Sequence, residues 1–280
     1  MNTIQVQRID DFTAKDYIRR TAIETDYTTL IKESCKLIDK ETGELVGVYL
    51  VMPKTPPNLI QAIMKIKYQK NKRLAGLITK SRIFGFRNRE KVRNDFCSST
   101  SLAVDNPKEH AIICNFAQDL TNYYKKYCGA VFDDHFDIAK EKILDEWRIG
   151  DTPFSSGIIN QNNALHYHFD AGNFKNVYSN MVAFKSNTKG GYLSIPEYDI
   201  GLEIANNSIL LFNGQKILHG VTPIKLLSDK AYRYTIVYYT LQQMWKCEPI
   251  TKELIRIKDE RTKLECKRLA RQKGEIPNVI

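Results

Sequence analysis

His168 and Asp170 stand two positions apart, and on an extended strand side chains with that spacing point to the same side. A second imidazole, His219, follows just beyond the turn signal Asn213-Gly214. Two imidazoles and one carboxylate on one face of a metal, with the other positions open, form the donor set of a non-haem iron(II) oxygenase. Arg233 then opens the most apolar run of the chain, Tyr234 to Tyr239, and its guanidinium is expected to face inward with the alternate residues. A forked cation in a half-buried pocket suits the distal carboxylate of 2-oxoglutarate, whose oxoacid end would chelate the iron and leave a position for O2.

A His-x-Asp triplet recurs by chance, so the weight lies in the ordered set of His168, Asp170, His219 and Arg233 on predicted strands. His166 shares the face of His168 and Asp170, which leaves a shift of ligand open. Paired with His168 it would supply no carboxylate, and support or packing is the reading preferred for it. His110 and His135 fall in predicted helices without evident partners.

These residues need strands to hold them. Cys35 to Met52 reads as a hairpin around the turn at Asp39 to Glu44, ended by Pro53, Pro56 and Pro57. Apolar spacing from Leu59 predicts a helix running into a basic segment, and His110 to Tyr127 and Asp134 to Trp147 read as further helices. After Gly150 come short aromatic and β-branched runs: 157–160, 164–169, 178–184, 192–195, 208–212, 217–221 and 232–240. Short strands at this spacing predict a sandwich or jelly roll. Lys252 to Lys273 reads as an exposed basic helix stopped near Gly274 and Pro277. The expected organisation is a lead-in over 1–58, a helical basic support over 59–150, a catalytic core over 151–245 and a basic helix and tail over 246–280, together one catalytic domain.

The composition, 42% hydrophobic and 10% aromatic, supports a sizeable core and argues against disorder. No apolar run approaches the roughly 20 residues that cross a bilayer, and acidic Asp10, Asp11 and Asp16 sit where a signal peptide would be apolar. Six cysteines without a CxxC pair suggest neither a zinc knuckle nor a disulfide framework, so reduced thiols in a soluble, intracellular protein are expected. The net charge of +10 is concentrated between Lys65 and Arg93, where eleven basic residues face one acid. Lys65, Lys67, Lys70, Lys72, Arg73, Arg82, Arg87 and Arg89, interleaved with Tyr68, Phe84 and Phe86, are the candidates for contact with a phosphate backbone. A solvated basic helix would give a similar pattern.

Residues 151–160, His168 to Asn173, Gly190 to Leu193, Leu211 to Gly214, His219 to Pro223 and Arg233 to Tyr239 together resemble the TET/JBP family of nucleic-acid oxygenases. The resemblance covers Phe84 to Thr240. It implies a mixed α and β fold with a double-stranded β-helix (jelly roll) core and flanking helices. It also implies oxidation of the 5-methyl group of a pyrimidine in DNA with Fe(II), 2-oxoglutarate and O2. The family's iron ligands fall on His168, Asp170 and His219, and its 2-oxoglutarate arginine on Arg233. Its base-reading amide falls on Asn173, for which a turn asparagine is the competing reading, and its stacking aromatic on Tyr239. The family's 5-methylcytosine enzymes usually carry His two residues beyond that aromatic. Leu241 stands there, which leaves 5-methylcytosine only slightly favoured over thymine. Gly190-Gly191 reads first as a hairpin turn and second as a close approach to the cavity.

Two other classes compete. The same iron chemistry on a protein or small molecule gives no role to the basic segment, and a metal-free DNA-binding jelly roll gives none to the His/Asp/His set. The sequence contains no indication of oligomeric state.

Overall fold

The computed structural model describes residues 1–52, 54, 56–72, 77–89 and 95–273. The chain begins with strands β1 (Asn2–Val6), β2 (Thr29–Ile31), β3 (Cys35–Asp39) and β4 (Leu45–Val51), then helix α1 (Pro57–Lys65). Strands β5 (Gln69–Lys72), β6 (Ile78–Arg87) and β7 (Ser98–Ser99) follow, then helices α2 (Ser101–Asp105), α3 (Pro107–Tyr127) and α4 (Gly129–Lys142). Next come β8 (Ser156–Gln161), β9 (Leu165–His168), β10 (Ser179–Ser186), β11 (Thr188–Gly190), β12 (Leu193–Ile195) and β13 (Ile200–Leu202). Strands β14 (Ser208–Phe212), β15 (His219–Val221), β16 (Ile224–Leu226) and β17 (Tyr232–Tyr239) precede the last helix, α5 (Ile250–Gln272). Pro57 and Pro107 open α1 and α3, where a missing N–H costs no helical bond.

A ten-stranded sheet runs β1-β3-β4-β14-β10-β17-β8-β6-β5, with β7 paired to β6, and faces a five-stranded sheet ordered β2-β13-β12-β15-β9. The arrangement is the double-stranded β-helix (jelly roll) expected from the sequence. Side-chain alternation on β17 shows how the layers are made. Tyr234, Ile236 and Tyr238 point into a core shared with α1, α3 and α4. Arg233, Thr235, Val237 and Tyr239 point into the space between the sheets. Burial on both faces explains why this strand has the most apolar run in the sequence. Strands β10 and β14 alternate likewise: Val182, Phe184, Ile209 and Leu211 meet the helices, while Met181, Ala183, Leu210 and Phe212 meet the second sheet.

Several expectations are corrected. The helix from Leu59 ends at Lys65, and the basic segment beyond it is extended: β5 and β6 form an antiparallel pair at the edge of the large sheet. Thr79 and Ser81 are buried there, the two-residue spacing of a strand, which the dense Lys and Arg obscured. The expected helical support over 59–150 therefore contributes three strands, and residues 1–58 contribute strands to both sheets. Arg73, Lys91, Arg93, Pro53, Gly274 and Pro277 lie outside the described residues. The expectation of reduced thiols fails for one pair, since Cys97 and Cys247 are joined by a disulfide across a separation of 150 residues. Nothing in their spacing signals this, because their Cα atoms come within 5.7 Å only through tertiary folding. No helix among the described residues is long and apolar enough to cross a membrane.

Candidate active site

Strands β9 and β15 are antiparallel neighbours with His168 directly opposite His219. Asp170 lies two residues past His168, and its backbone N–H donates to Gly214 O at 2.8 Å. This brings Asp170 Oδ1 to 3.7 Å from His168 Nε2 and 3.9 Å from His219 Nε2. One donor atom from each of the three lies within 4.8 Å of the other two, a spacing that a single metal ion can bridge.

The imidazoles are oriented from behind. His168 Nδ1 lies 2.8 Å from His166 O, and His219 Nδ1 lies 3.0 Å from Ile217 O. A carbonyl only accepts, so each Nδ1 carries the proton and each Nε2 presents its lone pair toward Asp170, the tautomer a metal requires. Phe212 packs edge-on against the His219 ring at 4.9 Å. Leu218 N, one residue before His219, donates to the buried Glu197 carboxylate at 2.9 Å. Burial raises the pKa of Glu197, and the backbone donor and the Arg8 ion pair work against that rise.

Gly214 carries a constraint that reading it as a turn did not suggest. A Cβ there would sit 2.3 Å from Asp170 Oδ2 and 3.2 Å from the His219 ring, so any larger residue must displace the Asp170 carboxylate. Gly191 is comparable: its φ is +70°, and a Cβ would fall 2.8 Å from Arg233 Nε. The second reading of Gly190-Gly191, close approach to the cavity, is therefore the observed one, with Gly190 ending β11 against β16 and no hairpin turn.

Arg233 is 3% exposed, and burial lowers its pKa to about 10. Asn162 fixes the strand start by accepting Arg233 N–H at 2.7 Å and donating its own N–H to Arg233 O at 2.8 Å. The guanidinium Nε has no hydrogen-bond partner, and the neighbouring cation Lys185 is turned to Glu203 at 3.8 Å. A buried guanidinium without an acid costs stability unless a ligand supplies one. This orphaned group, together with the His/Asp/His donor set, fits iron(II) and a dicarboxylic oxoacid.

One cavity of about 390 Å³ joins all of these residues: His168, Asp170, His219 and Arg233, with Asn173, Tyr239 and Leu241 on its walls. Residues that sequence reasoning missed also line it, among them Asn160, Asn163, Phe169 and Thr235. The period-2 step from Arg233 through Thr235 to Tyr239 pointed to Thr235. The amide run Asn160 to Asn163, at the end of β8, had no recognised signal. His166 lies outside the cluster, bonded through Nδ1 to Arg19 O at 2.7 Å. His110 and His135 do have partners. His110 Nε2 accepts Gly85 N–H at 3.1 Å, and the buried His135 bonds Thr240 Oγ1 at 2.8 Å, with burial lowering its pKa to about 3.

The basic candidates divide. Arg82 is buried and paired with Asp105, and Arg89 is paired with Glu248 at 2.9 Å and with the buried Glu253. Both are engaged within the protein. Lys65, Lys67, Lys70 and Lys72 are exposed, and Arg87 is half-buried.

Comparison with known proteins gives a consistent result. Residues 82–242 match the model of the TET/JBP family, described as the oxygenase domain of the 2OGFeDO superfamily. Thymine dioxygenase JBP1 of Trypanosoma brucei brucei is 25% identical over 145 residues, which are 51% of this chain and 17% of that protein. The chain thus spans only a small part of the curated relative it matches. The structure of NgTET1 in complex with 5mC DNA aligns with a TM-score of 0.60 at 11% identity, covering 93% of this chain and 91% of that one.

Proposed function

The chain belongs to the TET/JBP family, an oxygenase domain of the 2OGFeDO superfamily using Fe(II), 2-oxoglutarate and O2, and from that premise we propose that it hydroxylates the 5-methyl group of a pyrimidine in DNA. The observation that carries this reading is the cavity in which a His/Asp/His cluster and a buried guanidinium, without an acidic partner among the described residues, face the same space. His168, Asp170 and His219 would hold the iron, and Arg233 would pair the distal carboxylate of 2-oxoglutarate through its fork of N–H donors. Bound together, iron and 2-oxoglutarate supply the chemistry that converts methyl to hydroxymethyl, with O2 as oxygen source and succinate and carbon dioxide as co-products.

The protein's part is to position and to exclude water. Leu165, Leu193, Phe212 and Val221 make the cavity wall beside the cluster apolar, so charged interactions inside it are strong. Tyr239 offers a face for stacking, Asn173 a polar contact, and Leu241 an apolar edge. A methyl group in stacked duplex cannot reach this depth, so the target nucleotide would be flipped out or single-stranded. The exposed lysines on and beside β5 would hold the backbone without reading sequence.

We favour 5-methylcytosine. Thymine is the second reading, supported by Leu241 in place of a histidine and by the thymine dioxygenase relative. The test is mass spectrometry of nucleosides from oligonucleotides containing either base, incubated with pure protein, Fe(II) and 2-oxoglutarate. A 5-hydroxymethyl product accompanied by stoichiometric succinate is expected. Succinate without any altered nucleoside would transfer the reading to another substrate class.

A further inference from the structure

The hydrogen-bond path from the metal cluster to Asn173 passes through a residue that no motif suggested, Ser179 at the start of β10. It is 3% exposed. Its Oγ lies 3.1 Å from Asn173 Nδ2 and 3.5 Å from Asp170 Oδ2. A carboxylate only accepts, and a hydroxyl has one proton to give. The Ser179 proton therefore points to Asp170, and the Ser179 lone pair accepts from the Asn173 amide. That order decides the orientation of the amide, because only its nitrogen end can donate to Ser179. Oδ1, which has no partner among the described residues, is left for the cavity that Asn173 lines. The backbone here is held as well: Gln215 Nε2 donates to Asn173 O at 2.6 Å, and Asn173 forms an isolated antiparallel bridge with Leu241.

We infer that Ser179 is a specificity-determining positioning residue, which holds the acceptor end of Asn173 toward the base and so favours 5-methylcytosine over thymine. The inference rests on the methylpyrimidine reading above. The reacting methyl group must approach the cluster that contains Asp170. The ring substituent next to that methyl, at position 4, is then the edge closest to the side chain tied to Asp170, which is Asn173. In 5-methylcytosine that substituent is an amine, a donor for the waiting oxygen. In thymine it is a carbonyl, and two acceptors would meet in a buried site with no proton between them. Without Ser179 the amide could rotate and offer either end.

The experiment uses full-length protein loaded with Ni(II) and 2-oxoglutarate, so that binding is read without turnover. Two labelled single strands of one thymine-free sequence carry either one 5-methylcytosine or one thymine at the same place, and a third carries cytosine. Wild type is expected to bind the 5-methylcytosine strand roughly tenfold tighter than the thymine strand, the scale of one good polar base contact. Ser179→Ala should bring that ratio close to one, and Ser179→Thr, which keeps the hydroxyl, should retain it. Should the alanine variant not fold, Asn173→Ala serves, since it removes the acceptor that Ser179 holds and must likewise bring the ratio close to one. A thymine preference in wild type, an unchanged ratio in Ser179→Ala, or an unchanged ratio in Asn173→Ala each overturns the inference. Wild type that binds neither methylated base more tightly than cytosine overturns the methylpyrimidine reading, and this inference with it.

Discussion

The interior cavity and the basic edge of the large sheet both contribute arginines, and the fold treats them in opposite ways. Inside, Arg233 is buried with no ion-pair partner among the described residues. At the edge, Arg82 and Arg89 are answered by Asp105, Glu248 and Glu253. The eleven-to-one excess of the edge segment in sequence is therefore partly cancelled by acids from distant segments, whereas one arginine in a strand of tyrosines is left for a ligand. What the fold leaves unpaired, and not the local count of charge, marks where binding takes place.

The comparison is broken most severely at the cluster. His168→Ala, Asp170→Ala or His219→Ala is expected to reduce succinate formation to background; melting temperature should change little for the half-buried His168 and Asp170, and fall more for His219, whose ring also packs on Phe212. Gly214→Ala should weaken metal binding through Asp170, as followed by cobalt(II) absorption. Wild-type cobalt affinity in that variant would show that the loop yields to the methyl group.

Next in size, Arg233→Ala should raise the 2-oxoglutarate requirement about a hundredfold, the value of a forked pair of charged hydrogen bonds. Titration of succinate formation against 2-oxoglutarate measures it.

His135 supplies a third treatment of charge, since the fold keeps this residue neutral. Its folded pKa of about 3 lies below its unfolded value near 6.5, so the unfolded chain binds more protons between these limits. Stability is then complete above about pH 6.5 and lost as pH falls toward 3, by on the order of 4 kcal/mol. Urea unfolding across that window should show a shallower slope with pH in His135→Gln.

The two smallest effects sharpen the contrast along the edge itself. Arg89→Ala should cost about 1–3 kcal/mol of stability by stranding Glu253, with no change in the salt dependence of DNA binding. Lys70→Gln with Lys72→Gln should do the reverse, leaving stability alone while lowering the salt slope by roughly 0.7 to 0.9 for each phosphate that is no longer neutralised.

The same contrast explains what was legible in the sequence. His168 with Asp170, and Arg233 with Thr235 and Tyr239, obey the two-residue period of a strand, so their common face could be read locally. The hairpin at Cys35 to Met52, the long helices and most strands after Gly150 were readable for the same reason. The short strands β2, β11, β13 and β16 were not, because three residues make no pattern until a neighbouring strand pairs with them. The β5–β6 pair was misread as helix since its inward residues, Thr79 and Ser81, are polar and its outward ones are mostly basic. Asn163 and Glu197 act on backbone groups far along the chain, at Lys80 and Leu218, and sequence spacing contains no trace of such partners.

The bond between Cys97 and Cys247 turns 150 residues of separation into a closed ring, and His168, Asp170, His219 and Arg233 all lie on it. Tension that reaches the two cysteines is carried across the sulfur bridge and bypasses the covalent path through the residues between them. A protease cut anywhere within the ring leaves the pieces covalently joined, so nicked protein should migrate as one species until reductant separates the fragments.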